Sequence, residues 1–167
     1  RGLVGSEMCI RDSFIAFREE VVTRRSKFEL TKARDRAHVL VGLAIAVANI
    51  DEVIGLIRKA PSPAEARAQL MARDWPAADV ADLVALIDDP LHKVGDGGTY
   101  RLSETQARAI LELRLQRLTA MGRDEIGDEL KQLGAQISDL LDILRSRTRV
   151  MVIIRDELVA TRDEFAT

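Results

Sequence analysis

Apolar residues recur along this chain at alternating steps of three and four in two separate stretches. The first runs Leu40, Leu43, Val47, Ile50, Ile54 and Ile57, and the second runs Ile126, Leu130, Leu133, Ile137, Leu140 and Leu144. That spacing keeps one narrow apolar stripe on a helix, the seam along which two helices wind around each other. Laid antiparallel, the stripes pair Ile57 with Ile126, Ile54 with Leu130, Ile50 with Leu133, Val47 with Ile137, Leu43 with Leu140 and Leu40 with Leu144. The residue numbers of every pair sum to 183 or 184, so one register serves all six layers. Each such side chain contributes about 1.5–3 kcal/mol when fully buried. The pattern predicts an all-α fold: a long antiparallel coiled-coil hairpin carrying a small helical globule at its tip. Two amphipathic helices of a compact bundle show the same periodicity, and the shared register favours the hairpin.

Four segments follow. Residues 1–13 carry two glycines and no heptad, and Glu7-Met8-Cys9-Ile10-Arg11-Asp12-Ser13 reads like a translated sequencing-library adapter. They are expected to be non-native or disordered, with a natural flexible N-terminus as the alternative. Residues 14–60 form the ascending coiled-coil helix, since no proline interrupts Phe14 to Lys59. Ahead of Leu40 its seam is coarser, marked by Phe14, Phe17, Val21, Phe28, Leu30, Ala33 and Ala37.

Residues 61–121 form the globule. Pro61-Ser62-Pro63 ends the first helix and opens another, with Ser62 as N-cap and Pro63 at the first helical position, through about Met71. A short helix after Trp75-Pro76 places Val80, Leu83, Val84 and Ile87 on one face. Residues 88–102 read as loop. Ser103 and Gln106 form an S-x-x-Q capping box opening a helix through about Leu118. Ala107, Leu111, Leu115 and Leu118 make its main buried face, and Ile110 and Leu113 flank a second stripe with Gln106 and Arg117. Residues 122–167 form the descending coiled-coil helix and a terminal helix, with a break at Arg145-Ser146-Arg147-Thr148-Arg149. Gly127 falls beside Gly55 in the six-layer register, where the helices are expected to approach closely.

The composition is 47% hydrophobic and 31% charged but only 4% aromatic over 167 residues, which suits an extended helical protein better than a thick globular core. A net charge of −2 gives no global attraction to nucleic acid. The local cluster Arg24, Arg25, Lys27 is a candidate DNA-backbone contact, a solvated helix face being the plainer reading. A single cysteine, Cys9, excludes an internal disulfide framework. No apolar run approaches the ~20 residues of a membrane span, and Leu3 to Ile10 is too short and polar for a secretory signal. A cytoplasmic location is therefore expected, with no membrane partner.

The chain offers no catalytic constellation. His38 and His92 lie far apart in sequence, with no cysteine or carboxylate cluster at ligand spacing, so neither a catalytic residue nor a metal ligand is assigned. Gly95-Asp96-Gly97-Gly98 lacks the G-x-x-x-x-G-K-[ST] pattern of a phosphate loop and reads as a turn. Asp88-Asp89 before Pro90 reads as a helix stop. Tyr100, on the expected loop, reads as structural or solvent-facing.

Several phrases together resemble the family of the DNA gyrase A subunit. They are Phe17-Arg18-Glu19-Glu20-Val21-Val22-Thr23-Arg24-Arg25, Phe28-Glu29-Leu30, Lys32-Ala33-Arg34-Asp35-Arg36-Ala37-His38 and Asn49-Ile50-Asp51-Glu52-Val53-Ile54. Tyr100-Arg101-Leu102-Ser103-Glu104-Thr105-Gln106-Ala107 and Ala109 through Thr119 continue the likeness in family order. The resemblance implies part of an ATP-dependent type II DNA topoisomerase that negatively supercoils DNA by double-strand passage. It implies a coiled-coil arm ending in a dimeric exit gate, with the tyrosine nucleophile and the DNA-wrapping domain in other segments, so that the fragment alone is expected to be inactive. Its partners would be a second copy of the same A-type protein through the gate, the gyrase B protein in an A2B2 complex, and double-stranded DNA. No cofactor is expected in the fragment; ATP and Mg2+ would enter the parent complex through the gyrase B protein. Within that frame Ile110, Leu113 and Arg117 are the candidate dimer contact, since a gate that opens needs a limited, isologous interface. The A-type protein of topoisomerase IV shares the architecture and is the nearest alternative. A non-enzymatic coiled-coil adaptor is the alternative of another class.

Overall fold

The computed structural model describes the backbone of residues 2–113 and 120–166, and side chains within residues 5–113 and 122–166. These residues fall into two compact units. One comprises Arg1–Lys32 with Ser138–Thr167, and the other Ala33–Ile137.

The first unit is built from the opening part of α1 (Gly2–Ala48), the end of α6 (Ala120–Arg145) and α7 (Arg147–Phe165). Its core gathers Val22, Ser26 and Leu30 of α1, Leu140 and Ile143 of α6, and Val150 and Ile154 of α7. Steps of four keep Val22, Ser26 and Leu30 on one face of α1. The opposite face carries Phe14, Phe17 and Phe28, all exposed, so the coarse seam expected through these phenylalanines does not form. The expected break between the last two helices falls at Ser146. Its backbone is extended and its hydroxyl accepts the Arg149 N–H at 3.4 Å, so a new helix is capped where the old one stops. Arg149 then bonds Asp139 at 2.9 Å and Asp142 at 2.7 Å, tying α7 back to α6.

Residues 1–13 differ from the expectation of disorder, because α1 already begins at Gly2. Extending an existing helix adds one hydrogen bond per residue fixed, and a glycine such as Gly5 costs only about 1 kcal/mol. Residues 5–13 are exposed throughout and add nothing to the core.

The second unit holds the end of α1, then α2 (Ile50–Lys59), α3 (Pro63–Ala72), β1 (Asp74–Pro76), a 3-10 turn (Ala78–Val80), α4 (Ala81–Ile87), β2 (Thr99–Arg101), α5 (Glu104–Leu111) and the opening part of α6. The chain bends by 91° between α1 and α2, so the single helix expected from Phe14 to Lys59 is broken. Asn49 makes the break. Its backbone N–H and its side-chain amide both donate to the Ile45 carbonyl, at 3.1 and 2.9 Å, and its own carbonyl accepts the Val53 N–H that opens α2. Such local bonding offers the backbone an alternative to continuing the helix. Asp51 and Glu52 in the first turn of α2, with Arg58 and Lys59 in its last, complement the new helix dipole.

This bend and one ion pair overturn the six-layer register within this unit. Arg36 Nε lies 2.7 Å from Glu129 Oε1, whereas that register sets Glu129 level with residues 54–55, roughly 27 Å further along at 1.5 Å per residue. Ile50, Ile54 and Ile57 turn away with α2 and are half-buried, so the layers Ile57/Ile126, Ile54/Leu130 and Ile50/Leu133 are not built. Val47 instead shares a cavity of about 310 Å³ with Ile126, Gly127 and Leu130, not a layer with Ile137. Nor do the helices approach at Gly55 and Gly127, where an added Cβ would meet nothing within 4 Å. Close approach occurs at Gly134, against Leu83, and at Gly42, against Gln106.

The fold is otherwise all-α, but the segment read as loop contributes a strand. β1 and β2 pair antiparallel with Trp75 opposite Tyr100, both buried. The N-cap of α3 is as expected: Ser62 accepts from the Glu65 N–H and Pro63 is at the first helical position. The glycine segment is a turn, with Gly98 at φ 69°, and Asp88 ends α4 in the left-handed conformation at φ 52°. Among the described residues no single helix is long and apolar enough to cross a membrane.

Candidate functional site

The densest buried polar chemistry lies in the second unit, where α1, the segment after α4, β2 and α5 meet. The capping box of α5 is complete: the Ser103 hydroxyl accepts the Gln106 N–H at 3.2 Å, and Gln106 Oε1 accepts the Ser103 N–H at 2.9 Å. Gln106 does more than cap. Fully buried, its Nε2 donates to the His38 carbonyl at 2.7 Å and to the Tyr100 hydroxyl at 3.0 Å. Every polar atom of that side chain is thereby satisfied, which a buried amide requires. The close seat exists because position 42, one turn beyond His38, is glycine.

His38 Nε2 lies 2.7 Å from Ser103 Oγ, and the His38 ring meets the His92 ring edge-on with centroids 5.6 Å apart. His92 Nδ1 stands 3.2 Å from Asp89 Oδ2, near enough to pair but not aligned as a hydrogen bond. Asp89 is itself fixed by the Leu91 N–H at 3.0 Å, which holds its carboxyl below the usual range. Burial, and then the facing His92, push His38 below its ordinary value, against the opposing pull of Asp89 and Asp35. Burial raises Tyr100, partly offset by its bond from Gln106. The two histidines, distant in sequence and unassigned there, thus form one cluster with Tyr100, now a buried strand residue. The capping box was the only part of it with a local signature. Among the described residues no group of three or more His, Cys, Asp or Glu side chains is placed to hold a metal ion.

The candidate gate residues separate. Ile110 is buried, only 4% exposed. Leu113 is half-buried, and Arg117 lies outside the described residues. Of the seam residues, Leu40, Leu43, Val47, Ile126, Leu130 and Ile137 are buried in the second unit and Leu133 is half-buried there. Leu140 is buried and Leu144 half-buried in the first unit.

In the first unit two arginines converge on one carboxylate. Arg18 and Arg25 reach Glu157 at 2.7 and 2.6 Å, and Arg147 reaches Glu19 at 2.9 Å. The bond from Arg25, followed by that from Arg18, lowers Glu157 against its partial burial. A carboxyl lowered by folding stabilises above its unfolded pKa of 4.5, and that contribution is lost as pH falls through the folded value. Glu157→Gln is expected to cost less than about 1 kcal/mol at neutral pH, the pair being solvent-screened. In thermal unfolding, the difference from wild type should vanish once pH is well below 4.5; a difference that persists there would assign the effect to packing. The Arg24, Arg25, Lys27 cluster is partly neutralised by the same chemistry, Arg24 pairing with Glu20 and Arg25 with Glu157.

Both units are helical, and the second adds a short two-stranded ribbon. The chain belongs to the DNA gyrase/topoisomerase IV A-subunit family, whose model matches residues 6–159. It is similar to the DNA gyrase A subunit of Granulibacter bethesdensis, 58% identical over 161 residues that make up 95% of this chain and 17% of the relative. Likeness extends to the DNA gyrase A subunit of Rickettsia felis, 48% identical over 93% of this chain and 17% of the relative. That of Salmonella typhimurium is 50% identical over 93% of this chain and 19% of its own length. The chain therefore spans about a sixth of the length of the curated relatives it matches.

Proposed function

We propose that this chain is a segment of a DNA gyrase A protein working in double-strand passage, with its second unit serving as the exit-gate contact between two copies. The reading rests on the family match across residues 6–159 combined with a helical unit in which Leu113, two residues past the end of α5, is partly exposed. In this proposal DNA cleavage belongs to other parts of the gyrase A protein. ATP and Mg2+ belong to the gyrase B protein of an A2B2 complex. The chain's own residues supply rigid helices and a contact that can part.

Leu113 is the described residue through which two copies would meet. Sedimentation equilibrium on the 167-residue chain tests this. Wild type is expected to self-associate, and Leu113→Arg to weaken association at least about tenfold, the loss of one buried leucine being worth more than about 1.4 kcal/mol. A monomeric wild type, or association unchanged by the substitution, would sink the gate assignment.

A further inference from the structure

We propose that the facing imidazoles of His38 and His92, with Asp89, form an acid-sensitive latch that holds the 88–98 segment and the first turn of α5 against α1. The latch opens when His38 takes up a proton.

The geometry carries the inference. Two rings stand edge to face at 5.6 Å, and among the described residues only one carboxylate, Asp89, lies within pairing distance of either, at 3.2 Å from His92 Nδ1. A proton on His38 must sit in a half-buried site facing the second imidazole, and both features disfavour its charged form. The other groups facing the pair offer little relief. On α1 there is Asp35, itself exposed; on β2 there is Tyr100, whose hydroxyl already accepts from Gln106. From α5 come only the uncharged Ser103 and Gln106, because Glu104 is turned to Arg108 at 2.9 Å and Arg67 at 3.8 Å.

The attachment points make the protonation consequential. With Nε2 of His38 bare, the Ser103 hydroxyl donates to it while its oxygen accepts the Gln106 N–H. A proton on Nε2 reverses that bond: the ring donates to Oγ, which also accepts the Gln106 N–H, and the hydroxyl proton loses its acceptor, at the residue that caps α5 and next to the glutamine that ties α5 to the His38 carbonyl. Burial and the neighbouring ring both set His38 below 6.5, so the neutral form belongs to the fold. The sign follows: stability from His38 is complete above 6.5 and declines as pH falls below it toward the lowered folded value.

The chain has two histidines, so their ring-proton resonances can be followed individually by NMR while amide exchange is read on the same 167-residue sample. The His38 midpoint is expected below 6.5 and should rise in His92→Gln. After correction for intrinsic exchange, protection at Ser103, Gln106 and Ala107 should fall as pH is lowered from about 7.5 to 5.5. Protection at Val150 and Ile154 of the first unit serves as the reference and should stay level. A His38 midpoint unmoved by His92→Gln, or equal loss of protection in both units, would overturn the proposal. If His92→Gln does not fold, Asp89→Asn substitutes for it. Opening should then shift to lower pH, the pull of Asp89 on His38 being lost, and an unshifted opening would count equally against the latch.

Discussion

Replacing Trp75 with alanine is expected to lower the stability of the second unit by about 3–5 kcal/mol, the range for deleting a buried aromatic. Trp75 is wholly buried, opposite Tyr100 in the two-stranded ribbon. Its ring supports the Arg73 guanidinium, 4.9 Å from the centroid. Its indole N–H donates at 3.0 Å to the Leu70 carbonyl, in the last turn of α3. That carbonyl is among the four that a helix end leaves without an internal partner. The substitution therefore opens a cavity and removes a cap at once. Trp75→Phe keeps most of the ring but not the bond and should fall between alanine and wild type. Because this is the only tryptophan, denaturation should be followed by circular dichroism. An unchanged midpoint in Trp75→Ala would show that the ribbon contributes little to the core.

Gly42→Ala is expected to destabilise by about 1–3 kcal/mol, the usual cost of overfilling a packed site. Alanine would ordinarily gain about 1 kcal/mol over glycine inside a helix. Here the added methyl lands 2.7 Å from Gln106 Cβ and 2.8 Å from its Cγ. Those atoms stand at the root of the side chain and cannot swing aside without moving α5. Moving α5 stretches the bonds from Gln106 to His38 and Tyr100, so strain and lost hydrogen bonds outweigh propensity. Denaturant unfolding of the single and double variants separates these contributions. In a Gln106→Gly background, which removes both clashing atoms, the same Gly42→Ala change should cost at least about 0.5 kcal/mol less, a coupling expected only of neighbours in contact. Stabilisation by Gly42→Ala alone would refute the close approach.

What the sequence makes legible is the chemistry of single turns. Ser62 with Pro63, Ser103 with Gln106, and the polar break at Ser146 each act within a turn of helix, and each stands where the spacing predicts. The helical class is legible for the same reason. Register is not, because it depends on which residues meet across the chain, and a three-four repeat slides by whole heptads with little penalty in pattern. Asn49 hides inside that repeat: Val47, Ile50 and Ile54 keep their spacing straight through a right-angled bend. The ribbon strands are three residues each, too short for alternation to declare itself. The phenylalanines mislead because size suggests burial, whereas Ser26 and Val22, smaller and less conspicuous, fit the packed face. The family phrases place the chain in its lineage but do not reveal that His38 and His92 are neighbours.

Gln106 presents one acceptor and two donors in fixed directions, to three different backbone or hydroxyl groups. Few other residues can fill that role. Asparagine is a methylene too short, and an ionised glutamate accepts but cannot donate. The position is consequently a point of chemical ageing. Hydrolysis of this one amide would set a carboxylate against the His38 carbonyl, an acceptor that would lose its donor. The depth at which the amide is enclosed, away from water, is what keeps the folded protein from undoing its own joint over time.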